Sequence, residues 1–305
     1  VGQQIVKFKS DGEVKNARTG KDSEPKLLGA KQPITGEQER IAALGEWLTS
    51  ADNHRFAENQ ANLIWYHLLG RGLVEPIDDF RTTNPAVHPQ LLEHLTQELI
   101  ASEFDLRALI RTIMSSQVYK FSSTPNLSNA QDARNFSRTV PQRLSAEKLL
   151  DAQCQVLDAP AQFNGYPLGT RAGQVRGVER ERSRDKKPTT DDRFLKSFGK
   201  PDRLLACECE RSGETTLKQA FVLLGDEGLE ERLADSNNRL AKLAASEKSD
   251  DAVIAELYFV TLFRQPTPSE LDAAKRLLGQ HEKRFHGLQD LTWALLNSKE
   301  FIFRH

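Results

Sequence analysis

The stretch Asp52–Gly72, DNHRFAENQANLIWYHLLGRG, decides the fold class. Ala57, Ala61, Ile64 and Leu68 recur at helical spacing, which lines them along one face of an α-helix. Gly70 falls where a left-handed residue closes a helix, because glycine enters that conformation without a Cβ clash. The reading is a buried helix, on which His67 is expected to be a hydrogen-bonded core histidine and Trp65, like Trp47, a core aromatic.

The same period continues downstream. Pro89 suits a first helical turn, where its missing N–H is no loss, and Leu91, Leu95 and Leu99 form an apolar stripe behind it. Asp105 can cap a helix whose Leu106, Leu109, Ile113 and Met114 keep one face apolar. Ser145 can cap another, carrying Ala146, Leu150, Cys154 and Leu157, with Pro160 just past its end. Helical signals return in Thr216–Gly225 and in Asp250–Arg264, where Val253, Leu257 and Val260 align. Thr267-Pro268-Ser269-Glu270 combines a hydroxyl cap, a first-turn proline and a glutamate that can reach back to the cap N–H. Leu288, Leu291 and Leu295 line the last helix, with Trp293 and Phe301 packing on its neighbours.

Upstream, Thr35 and Gln38 have capping-box spacing for a helix running to about Leu48, and residues 1–35 read as an extended lead-in, a remnant of a preceding domain. Between Asn164 and Arg193 the periodicity gives way to Gly-rich and then charged sequence, which predicts an exposed loop. Its stretch 176–193 alternates charges that nearly cancel, and so reads as solvated more readily than as a surface for an acidic partner. No sustained alternation of period two and no tandem repeat appears. The fold class expected is mainly α: an irregular, multi-helix, bundle-like array with long loops, spanning 36–305.

Composition narrows the function classes. The 305 residues carry 42 basic and 43 acidic side chains, a net charge of −1, so no global field would draw the chain to a phosphate backbone. Nucleic acid is not an expected partner. No apolar run reaches the roughly 18 residues of a membrane span. Three cysteines, at 154, 207 and 209, make no disulfide framework, and neither a CxxCH haem site nor an HExxH zinc motif is present. No metal site and no cofactor are expected in this chain.

Six strings, in order, are more distinctive than their periodicity: LGEWLTSADNHRFAENQANLIWYHLLGRGLVEPIDDFR, NPAVHPQLLEHL, IMSSQVYKFSS, NFSRTVPQRLSAEKLLDAQCQV, CECERS and WALLNSKEFIFRH. Together they resemble the planctomycete-type domain of unknown function 1553, over roughly residues 25 to 305. The resemblance implies a C-terminal piece of a large exported protein, preceded by another uncharacterised domain and often accompanied by a c-type cytochrome module. It therefore implies an extracytoplasmic location, and haem c, where present, in a separate domain of the full-length protein. Cys207 and Cys209 fall in the family's CECER-like motif, whereas its pattern does not demand a cysteine at Cys154.

Three clusters could carry chemistry. Cys207 and Cys209 are compatible with a strained local disulfide in an oxidising compartment, with two buried thiols or, less readily, with a soft-metal or redox site. Glu210 and Arg211 follow them directly. The segment from Gly70 to His88 gathers Arg71, Asp78, Asp79, Arg81, Asn84 and His88, either as a carboxylate pair with cations or as turn residues and structural ion pairs, the second being the more usual. Arg138, Arg143, Ser145 and Glu147 offer an anion pocket or, more simply, a salt-bridged helix entrance.

Two functions compete. The first is an accessory or interaction module that docks the preceding domains of the same protein or an extracytoplasmic partner. The second is a hydrolase or other processing enzyme acting on polysaccharide or another extracellular polymer, with Asp78, Asp79 and Glu210 as acid or base and Arg71, Arg81 and Arg143 holding an anionic substrate.

Overall fold

The computed structural model describes residues 14–30, 32–34, 40–132, 134–175, 188–200 and 225–304. They form two compact units, the first ending at Val140 and the second covering Pro141–Arg304, both mainly α with only two-residue strands. The Thr35–Gln38 cap, the helical signal at 216–224 and the whole CECER stretch lie outside the described residues. No helix among the described residues is long and apolar enough to cross a membrane.

In the first unit, strands β1 (Val14–Lys15) and β2 (Asp22–Ser23) pair antiparallel within the lead-in. Four helices follow: α1 (Arg40–Leu48), α2 (His54–Leu69), α3 (Pro89–Ala101) and α4 (Leu106–Ser115). Asn53 caps α2 by accepting from the Phe56 N–H, and Gly70 closes it at φ 83°, its N–H reaching the Tyr66 carbonyl at 2.6 Å. Ala57 and Ala61 are fully buried, and such small side chains let α3 and α4 approach α2 closely. Trp65, Leu92, Leu95, Leu99, Leu109 and Ile113 complete this core.

Two expectations need correction here. His67 is exposed, lying against the Tyr66 ring and not in the core, because the face of α2 that packs inward is the one carrying Ala57, Ala61 and Trp65. On α4 only Leu109 and Ile113 are buried. Leu106 is the first residue of the helix and Met114 lies about 100° around it from Ile113, so both stay exposed.

In the second unit, strand β3 (Gln142–Arg143) leads into α5 (Ala146–Leu157). Then come α6 (Thr190–Ser197), α7 (Glu227–Ala234), α8 (Arg239–Ala244), α9 (Asp250–Leu262), α10 (Pro268–Leu278), α11 (Arg284–Leu296) and α12 (Lys299–Ile302). Strand β4 (Phe303–Arg304) returns the chain to β3, antiparallel. Ser145, Thr189, Asn238, Ser249, Thr267 and Ser298 each cap the helix that follows, accepting a first-turn N–H. The Thr267–Glu270 capping box forms in full. Leu150, Leu157, Phe194, Leu257, Leu288 and Leu296 are central to the core.

The expected exposed loop at 164–193 is shorter than its sequence suggested. Ala172 is fully buried and Val175 nearly so, and Thr189 opens α6 with a capping box closed by Asp192. The charge of Asp191 obscured this helix start; that side chain is buried by pairing, as described below. Residues 176–187 lie outside the described residues.

Candidate functional site

The segment after Gly70 is shaped by Asn62, a fully buried residue on α2. Its carboxamide donates to the Val74 carbonyl (3.1 Å) and the Ile77 carbonyl (2.9 Å) and accepts from the Val74 N–H (3.0 Å). The loop thus exchanges backbone hydrogen bonds with one side chain instead of with water. Gly72 fits the same clamp: a Cβ there would stand 2.2 Å from the Val74 oxygen. Asn84 ties the far side, donating to the carbonyls of Asp79 (2.9 Å) and Glu75 (3.2 Å).

Within this frame the predicted acids and cations do not converge. Asp79 and Arg81 form a two-point ion pair, Nε to Oδ1 and Nη2 to Oδ2, each at 2.6 Å. Hydrogen bonding from Arg81 holds the Asp79 carboxyl below its ordinary range. Asp78 is exposed, and Arg71 is half-buried. His88 is the residue preceding Pro89 and does not cap α3 through its side chain.

The residues of the second predicted cluster are divided between the two units. Arg138 belongs to the first unit and reaches the Asn129 carbonyl at 3.4 Å. Arg143, Ser145 and Glu147 belong to the second. Ser145 is the α5 cap and Glu147 is buried in its first turn, where a carboxylate suits the helix dipole. Arg143 lies over the Phe198 ring at 5.3 Å, with Nε and Nη1 buried and unpaired, and burial lowers its pKa. Ser145 and Glu147 stand at the start of α5 as cap and first-turn residue; nothing in the sequence signalled the Arg143 stacking.

The second unit holds a buried charge cluster that sequence reading missed. Asp191 accepts from Arg232 Nη1 at 2.5 Å and from the Gln162 N–H at 2.8 Å, while Asp226 lies 3.7 Å from Arg232 Nη2. All three side chains are at most 7% exposed. Burial raises the Asp226 pKa against the opposing pull of Arg232. Cys154 is nearby, and its thiol is pushed up to about 11, first by burial. This cluster ties α6 to α7, and a buried ion pair of this kind is commonly structural.

Among the described residues, a concave site lies in the first unit, a cleft of about 670 Å³ beside the start of α3. Trp65, Leu95, Ile113 and Phe136 supply apolar walls, and His88, Gln90, His94, Thr112, Ser116 and Asn135 supply polar ones. Phe136 meets the Trp65 ring edge-on, with centroids 5.3 Å apart, and lies 6.2 Å from the His88 ring. Asp132 places it. The Asp132 carboxylate accepts the N–H groups of Arg134 (2.9 Å), Asn135 (2.9 Å) and Ser137 (3.1 Å), the Asn135 amide (3.1 Å) and the Ser137 hydroxyl. This web holds Phe136 in the left-handed region at φ 55° and keeps the Asp132 carboxyl far below its ordinary range, chiefly through the Ser137 hydroxyl.

Among the described residues, His88 is the one predicted site residue that lines the cleft. The others there went unrecognised because residues from α2, α3, α4 and the 135–136 turn meet only in three dimensions. Among the described residues no Asp, Glu, Lys or Arg lines the cleft, and no group of three or more His, Cys, Asp or Glu could hold a metal ion. Cys207, Cys209, Glu210 and Arg211 lie outside the described residues.

The architecture is that of a mainly helical module. Residues 40–278 match the family described as PSD1, protein of unknown function (DUF1553), and the chain belongs to that family. Comparison with curated proteins and with solved structures returned no match.

Proposed function

We propose that this chain is a non-catalytic accessory module that docks the preceding domains of a longer exported protein, in an assembly linked to cytochrome c. The observation that carries the first half is the state of Asp78 and Asp79, the two predicted acids among the described residues. Asp79 is engaged by Arg81, Asp78 faces solvent, and no carboxylate among the described residues lines the cleft. Glycoside hydrolysis ordinarily needs two carboxyl groups flanking one bond, roughly 5–10 Å apart across a substrate site. The described residues supply no such pair around the cleft. The extracytoplasmic setting and a haem c in a separate domain rest on the family resemblance alone.

Docking is tested by mixing this chain with the separately produced preceding region of its parent protein in sedimentation velocity. A saturable complex supports the proposal. Two species that sediment independently at tens of micromolar, a range where even weak inter-domain contacts associate, would refute it.

A further inference from the structure

We infer that the exposed side of α4 docks an acidic amphipathic helix belonging to the preceding domains; this deepens the docking role proposed above and rests on it. The side chains that form the surface repeat along α4. Leu106, Ile110 and Met114 are spaced four residues apart, and at about 100° per residue they share an arc of roughly 80°. Arg107 and Arg111, also four apart, run directly alongside them. Leu106 is 46% exposed and Met114 43%, Ile110 is half-buried and both arginines are exposed, whereas Leu109 and Ile113 turn into the core.

The width of the stripe favours a helix over a lipid surface. A helix that lies in a membrane interface carries a broad apolar face with a strongly charged one behind it. An arc of roughly 80° is closer to the narrow seam along which two helices pack, where charges flanking the seam set the choice of partner. Met114, with its unbranched thioether, can fill an uneven gap in such a seam.

Charge makes the partner acidic. α4 contains no Asp or Glu. Its capping acid, Asp105, is engaged by the N–H groups of Arg107 and Ala108, and neither arginine side chain has a carboxylate partner among the described residues. A second copy of this chain fits poorly, because a two-fold contact through α4 brings like charges to the same seam. A partner helix with Asp or Glu beside its own apolar stripe satisfies both features, since each guanidinium can meet a carboxylate at two points.

Met114 is the only methionine in the sequence, so the full chain labelled with methyl-13C methionine gives one methyl resonance, and that resonance reports this face. The labelled chain is titrated with the separately produced preceding region of its parent protein, with sedimentation velocity following the complex in parallel. The expected result is a Met114 shift that saturates with complex formation. Arg107→Glu combined with Arg111→Glu should weaken the complex roughly tenfold or more while the melting temperature holds. A complex that leaves the Met114 resonance unmoved, or that the double charge reversal does not weaken, would overturn the α4 assignment and leave docking itself standing. If no complex forms, the docking role and this inference fall together. A Met114 shift with phosphatidylglycerol vesicles but not with the preceding region would overturn the inference in favour of a lipid surface.

Discussion

Replacing Asn62 by alanine should destabilise the first unit more than any other single polar substitution described here. The side chain is fully buried and makes three hydrogen bonds to the loop backbone. Removing it strands the N–H and C=O of Val74, a residue only 2% exposed, and water cannot reach them without opening the loop. Each stranded buried group costs about 1–3 kcal/mol, and the half-buried Ile77 carbonyl adds less because it can turn to solvent, so about 2–6 kcal/mol is expected in all. That is a large share of the roughly 5–15 kcal/mol that holds a domain folded. In a Trp293→Phe background, tryptophan emission reports the first unit through Trp47 and Trp65, and the urea midpoint should fall by roughly 1 M or more. A loss below about 1 kcal/mol, the scale of ordinary surface changes, would refute the idea that this carboxamide carries the loop.

Arg232→Met should cost about 3–5 kcal/mol in the second unit, because it leaves Asp191 and Asp226 buried without a cation; calorimetric melting measures the loss. The Glu270 carboxyl is lowered to about 2, first by hydrogen bonds from Arg264 and then by the Thr267 N–H. A depressed carboxylate stabilises the fold fully above its unfolded pKa near 4.5 and loses that contribution as pH falls towards 2. The melting temperature of the wild type should therefore drop across this window more steeply than that of Glu270→Gln. With its pKa near 11, the Cys154 thiol should resist iodoacetamide at pH 8 in the native chain and react after unfolding, as read by peptide mass spectrometry.

The parts of this fold that were legible in the sequence are local. Gly70 as a left-handed closure, Asp105 and Ser145 as caps, and the Thr267–Glu270 box each depend on residues within one helical turn, where a side chain's reach is fixed by the backbone. Asn62, read only as one polar residue on a helix, gains its role from a loop 12 to 15 positions away. Asp191 looked like part of a solvated charge run because its partner, Arg232, lies 41 residues on. The cleft was illegible for the same reason: His88 was visible as a polar residue before a proline, but Trp65, His94 and Phe136 come to it from three separate segments. Charge in the sequence marked the Asp78–Arg81 segment as a candidate, and geometry turns Asp79 and Arg81 into a brace.

Turnover separates docking from catalysis most directly. Wild type and a combined Asp78→Asn, Asp79→Asn, Glu210→Gln variant would be incubated with a panel of soluble polysaccharides and assayed for new reducing ends. A non-catalytic module releases none above the buffer blank in either form; release by the wild type that disappears in the variant would contradict the account.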